Sequence, residues 1–138
     1  MKNLRILSIV FLILLYGGCD SGKRLSPIGL VKGNTWVLSS LLGQGLNLRD
    51  FPEGVPTLNF LEGGRLAGFT GCNNFSGSFS LEGTLLSLDP GAMTKKACPG
   101  NGEQEFLAAL GRVSNLQVSK DKLTLTDGTT ELMAFLPR

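Results

Sequence analysis

The sequence predicts an α+β domain, mainly antiparallel β, with about seven or eight short strands in a barrel-like or strongly curved sheet and one helix covering an open side. Two observations carry that expectation. Short runs of alternating apolar and polar residues recur from Trp36 to Leu136, most of them bounded by glycine, proline or aspartate turns. Only one stretch, after Asn101, places apolar residues at helical spacing.

Trp36-Val37-Leu38 opens the first strand, with Trp36 and Leu38 on one face. Trp36 is the only tryptophan and reads as core filling rather than ligand stacking. Gly43 to Pro56 is a loop punctuated by glycines and prolines. Thr57 to Glu62 is a strand with Leu58 and Phe60 on one face and Asn59 and Leu61 on the other. Gly63-Gly64 is expected to turn it as a two-residue hairpin into Arg65 to Phe69. Gly68 within that return strand predicts a bulge or a close backbone approach. Ser76 to Leu81 alternates again, Glu82-Gly83 turns the chain, and Thr84 to Leu88 follows until Asp89-Pro90-Gly91 is expected to break it.

Asn101 to Gln104 has the shape of a capping box, and Glu103 and Glu105 suit the positive end of a helix dipole. Phe106, Leu107, Leu110 and Val113 form the apolar stripe of that helix, which reads as core packing. Leu116 to Val118, Lys122 to Thr126 and Leu132 to Leu136 supply the last strands, separated by Lys120-Asp121 and Asp127-Gly128 turns.

Lys2 and Arg5 precede an apolar run from Ile6 to Tyr16, too short for a comfortable membrane span and suited to a signal-peptide core. The run ends in Gly17-Gly18-Cys19, which resembles a bacterial lipobox, with Tyr16 where that pattern prefers leucine. The resemblance implies acylation of Cys19 and anchoring to a membrane. Ordinary cleavage after Gly18 and an uncleaved anchor are the other readings. The expected organisation is a signal peptide at residues 1–18, a lipidated tether at 19–33 and a folded domain at 34–138.

Without Lys2 and Arg5, the 13 Lys and Arg residues fall to 11, against 11 Asp and Glu. The balance leaves no basic stripe for a phosphate backbone, which disfavours nucleic acid as a partner. The chain has no histidine, which removes Ser-His-Asp and Cys-His catalysis and the commonest transition-metal ligand. Two carboxylate pairs close in sequence, Asp50 with Glu53 and Glu103 with Glu105, read as a solvated loop and a helix start. No phosphate-cradling loop or calcium-loop spacing is present, so no cofactor and no metal are expected.

With these pieces in order, the sequence resembles the META domain family of HslJ-like heat-shock lipoproteins. The residues that carry the resemblance are Trp36-Val37-Leu38, Leu58-Asn59-Phe60, Gly68, Gly71-Cys72-Asn73-Asn74-Phe75-Ser76-Gly77, Met93-Thr94, Ala97-Cys98-Pro99, Glu105-Phe106 with Leu110, and Leu123-Thr124-Leu125. The resemblance implies a small mixed β domain common in envelope lipoproteins and associated with stress response and antibiotic tolerance. It implies no agreed catalytic residues or substrate.

The expected protein is therefore a non-catalytic lipoprotein of the bacterial cell envelope, facing the periplasm and held by Cys19. The alternatives are an inhibitor or scaffold that binds another envelope protein, and a small enzyme using Cys72 or carboxylates. With Cys19 acylated, Cys72 and Cys98 are the only remaining thiols, and export places them where disulfides persist. A Cys72–Cys98 bridge is expected; two buried free thiols are the competing reading. On the bridged reading, Asn73 and Asn74 are turn residues, and Gly71 and Gly77 supply backbone freedom.

Overall fold

The structure, a computed structural model, describes residues 26–138. The expected signal peptide, Cys19 and the first part of the tether lie outside the described residues. Among those described, α1 (Pro27–Val31) precedes β1 (Trp36–Leu41), β2 (Gln44–Gly45), β3 (Thr57–Leu61), β4 (Arg65–Phe69), β5 (Asn74–Glu82) and β6 (Leu85–Met93). Helix α2 (Gly102–Arg112) follows, then β7 (Asn115–Val118), β8 (Leu123–Thr126) and β9 (Glu131–Pro137).

Every strand pairing is antiparallel. From β3 to β9 each strand pairs with the next, and β1 pairs with both β3 and β9. The register from Trp36↔Pro137 to Leu41↔Met133 joins last strand to first, so eight strands close into a barrel. Closure leaves few strand edges exposed. The ninth strand, β2, lies beside Ser40 and Leu41 on the edge of β1 that β3 occupies at Trp36 and Val37.

Alternation fills the interior. Trp36, Leu38, Leu58, Phe60, Leu66, Phe75, Phe79, Leu123 and Leu125 all point into one apolar core. Phe60 and Phe79 meet edge to face with centroids 5.0 Å apart, an arrangement worth about 0.5–1.5 kcal/mol beyond area burial. Phe106 and Leu110 of α2 are buried in the same core, as the helical spacing predicts.

The tether expected to run to residue 33 gives way earlier to folded chain. Pro27 starts α1, Val31 is fully buried, and the Val31 carbonyl accepts from the Trp36 indole N–H at 2.8 Å. Lys32 bridges to Phe60 of β3 while α1 packs near β7. Those two strands lie on opposite sides of the ring, so α1 crosses and covers one barrel end. The apolar Ile28, Leu30 and Val31 are what the polar reading of this segment passed over.

Asp89-Pro90-Gly91 does not end a strand, because β6 continues through it to Met93. The only residue of β6 in register with β7 is Leu85, opposite Asn115, so at Pro90 the outer edge has no ladder for a missing N–H to interrupt. Gly91 carries the accompanying bulge at φ 63°. The Gly63-Gly64 turn is a three-residue loop, Glu62 to Gly64, with both glycines at positive φ. Asn101 does not cap α2 with its side chain, because its backbone (φ −107°, ψ 2°) is not the extended form that aims a cap at the first-turn amides.

Gly68 shows the close approach its position predicts. A Cβ there would lie 2.2 Å from the Thr57 carbonyl oxygen and 2.5 Å from the Phe75 ring. Gly68→Ala is therefore expected to destabilise the domain by about 2–4 kcal/mol. Gly111→Ala, where a Cβ meets nothing within 4 Å, should be neutral or mildly stabilising. Urea unfolding of the two variants checks the contrast.

Candidate functional site

Antiparallel topology sorts the connections to two ends of the barrel. The chain leading into β1, and the loops at 62–64, 83–84 and 119–122, lie at the α1 end. The 42–56 loop, the 70–73 turn, the 94–101 segment and the 127–130 loop lie at the other. The candidate site is at that second end.

Thr70 to Asn73 makes the turn from β4 to β5, closed by Thr70 N–H donating to the Asn73 carbonyl at 2.9 Å. The Thr70 hydroxyl oxygen accepts from the amides of Cys72 (3.2 Å) and Asn73 (2.8 Å), a local bond that Thr favours in turns. It donates its own proton to Glu103 on α2. Gly71 takes φ 93°, and a Cβ there would meet the Phe51 ring at 2.4 Å. A Cβ on Gly102 would meet the same ring at 2.6 Å. Phe51, 5% exposed, thus lies against two bare backbones and pins the 42–56 loop to both the turn and the helix start.

Asn73 is the centre of the site. Its side-chain oxygen accepts from the Lys96 amide (2.6 Å) and the Thr94 hydroxyl (2.9 Å). Its side-chain nitrogen donates to the Lys96 carbonyl (3.0 Å) and to the Glu103 carboxylate (2.9 Å). One amide therefore pairs with both main-chain groups of Lys96, as a neighbouring strand residue would. Both donors and both acceptor positions of the amide are used, so Asn73 is satisfied at 3% exposure. It is a hub and not only a turn residue. Asn74 is the exposed first residue of β5, and its main chain exchanges bonds with Thr94.

Cys72 and Cys98 meet at disulfide distance, with Cα atoms 5.9 Å apart, which ties the turn to the 94–101 segment. The Cys72 sulfur also lies 3.3 Å from the Lys96 carbonyl oxygen, a contact without a proton when the sulfur is bridged. Gly77 is needed for space rather than for unusual φ, since a Cβ there would lie 2.0 Å from the Asp89 carbonyl. A cavity of about 210 Å³ opens beside the bridge, lined by Asp50, Gly71, Lys96, Glu103 and Gln104 among others. Its one cationic side chain, Lys96, pairs with Glu53 at 2.7 Å. Among the described residues no group of three or more His, Cys, Asp or Glu side chains could hold a metal ion.

The motif residues Gly71, Cys72 and Asn73 are thus brought together with Cys98. The carboxylate pairs are not: Asp50 lines the cavity while Glu53 holds Lys96, and Glu103 is in the network while Glu105 is exposed. Thr70, Phe51 and the bonding role of Glu103 were missed from the sequence. Glu103 lies 33 residues from Thr70, and nothing local to either residue announces the other.

A family model of the META domain matches residues 29–138. No curated protein sequence matches the chain significantly. Solved structures share the fold, among them the following three. One NMR structure of a protein is 23% identical, with a TM-score of 0.61, covering 79% of this chain and 93% of its own. A crystal structure of a duf4847 family protein from Bacteroides vulgatus is 15% identical, with a TM-score of 0.61, covering 77% and 93%. An NMR structure of a protein from Burkholderia xenovorans is 24% identical, with a TM-score of 0.60, covering 80% and 86%.

Removing the hub should cost far more than removing its neighbour. Asn73→Ala leaves the Lys96 amide without its partner and strips one of the two donors, the other being Thr70, from the Glu103 carboxylate, an expected loss of about 2–4 kcal/mol. Asn74→Ala, on an exposed side chain, should stay within about 0.5 kcal/mol. Denaturant titration of both decides it. Reduction of the bridge closing the 26-residue separation should lower stability by about 3.5 kcal/mol in the chain-entropy model. Non-reducing peptide mapping should recover the Cys72–Cys98 peptide; quantitative alkylation without reductant would refute the bridge.

Proposed function

This chain belongs to the META domain family, and on that premise we propose that it is a non-catalytic lipoprotein of the bacterial cell envelope, anchored through Cys19 and facing the periplasm. The observation that carries the non-catalytic reading is the inward commitment of the motif. The Asn73 amide spends all its hydrogen-bonding capacity on its own chain, and the Cys72 sulfur is paired with Cys98. A nucleophile needs a free thiolate and an activating base, and the sequence contains no histidine to supply that base. Stress response and antibiotic tolerance are the physiological setting that the family suggests. The anchor reading rests on the short apolar run before Gly17-Gly18-Cys19.

A second reading, a scaffold or inhibitor of another envelope protein, draws support from the β1–β2 tip. Leu42 holds φ 53°, a left-handed conformation unusual for leucine, and is 49% exposed. Leu48, beyond β2 in the 42–56 segment, is 64% exposed. Backbone strain and exposed apolar surface both cluster at binding loops, and their coincidence here supports the reading. Crosslinking from intact envelopes would recover a partner through this loop if the reading holds.

For the anchor, intact mass of membrane-extracted protein should show acyl chains on a mature chain that starts at Cys19, and Cys19→Ser should move the protein to the soluble fraction. A soluble, unmodified wild-type product starting elsewhere would count against it.

A further inference from the structure

The two ends of the barrel differ in net charge. The α1 end carries Arg65, Lys120, Lys122 and Arg138 against Glu82 and Asp121, once the Lys32–Glu62 pair is set aside. The site end carries Arg49 and Lys95 against Asp50, Glu103, Glu105 and Glu131, once the Lys96–Glu53 and Arg112–Asp127 pairs are set aside. One end is thus net positive and the other net negative, although the described chain as a whole is nearly balanced.

Exposed leucines occur at both ends, Leu42 and Leu48 at the site end and three at the α1 end, where they lie among the surplus cations. Leu61 (37% exposed) precedes the 62–64 loop, Leu85 (62%) follows the 83–84 turn, and Leu136 (49%) is next to last in β9. The chain from Cys19 also joins the domain there, because α1 covers that end and Lys23 and Arg24 lie in the segment before it. Cations interspersed with exposed leucines, at the end where a lipid tether arrives, suit a headgroup surface.

We infer that the α1 end of the barrel rests on the anionic headgroup surface of the anchoring membrane, so that the Cys72–Asn73 turn is presented away from it. The inference builds on the anchor reading above. From Cys19 to Pro27 the chain reaches at most about 29 Å when fully extended, which holds the domain close to the surface. The surface charges then set its orientation, each cation near an anionic leaflet contributing about a tenfold preference or less. A partner of the site end is accordingly met from the side away from the anchoring membrane.

Leu85→Trp and Leu48→Trp form a matched pair of reporters, similarly exposed at opposite ends of the barrel, against the constant background of buried Trp36. Each full-length variant is reconstituted in vesicles of brominated phosphatidylcholine with and without phosphatidylglycerol, and intact mass of the same preparation reports acylation. Bromine should quench L85W severalfold more than L48W, more so with phosphatidylglycerol, and the Lys120→Glu/Lys122→Glu pair should abolish that preference. In the Cys19→Ser background the same pair should weaken association with anionic vesicles by roughly 30-fold or more, at about 1 kcal/mol for each cation lost. An acylated chain with equal quenching at both positions, or more at L48W, overturns the orientation and keeps the anchor. An unacylated chain that prefers L85W keeps the orientation and overturns the anchor, and an unacylated chain without preference overturns both.

Discussion

One buried amide holds the site end of this barrel together. The Asn73 side chain joins three pieces of chain distant in sequence: its own turn, the 94–98 segment through Lys96 and Thr94, and α2 through Glu103. Burying an amide is costly unless every polar atom finds a partner. Here the requirement is met, so the cost of a misplaced partner acts as a constraint on geometry. The 94–98 segment lies where Lys96 can offer both main-chain groups, and α2 starts where Glu103 can reach the turn. Positions that look unrelated in the sequence are fixed relative to one another by this one side chain.

The strands were legible because each buries one face. Leu58 with Phe60, Phe79 with Leu81, and Leu123 with Leu125 advertise their face by alternation, and hairpin glycines mark most returns. The helix was legible from Phe106 and Leu110. Boundaries depended on information that local pattern lacks. Pro90 looks like a strand breaker until the outer edge of β6 proves to have no partner beside it. Residues 27–31 look like tether until the barrel end they cover is in place. Within the site, Cys72, Cys98 and the flanking glycine stood out by residue type, and the family resemblance gathered them. Thr70, Glu103 and Phe51 did not, because each is ordinary alone and acquires its role from a partner about 20 residues away or more.

Three glycines show a related logic. Gly71 and Gly102 leave room for the Phe51 ring, and Gly77 leaves room for the Asp89 carbonyl. Of these only Gly71 has positive φ, so backbone freedom explains one position and the absence of a Cβ explains all three. A glycine in a turn motif invites a conformational reading, yet the larger demand here is the space needed by a neighbour. Phe51 turns that space into attachment. The loop carrying the exposed Leu42 and Leu48 is anchored at one buried aromatic ring while its tip stays in solvent.

The bridge and the Asn73 amide hold the same segment, but they act on different states of the chain. A crosslink between Cys72 and Cys98 chiefly restricts the unfolded ensemble, since it closes a loop that would otherwise be open. The amide does nothing for the unfolded chain, where water satisfies it, and acts only once the turn, Lys96 and Glu103 are in place. Its effect on the cysteines is to hold the two backbones at the spacing a disulfide needs, which raises their effective concentration in the native state. The stabilisation from the crosslink depends on that concentration exceeding the one in the unfolded chain. Gly71-Cys72-Asn73 therefore works as one device: the glycine admits Phe51 beneath the turn, the asparagine sets the geometry, and the cysteine locks it.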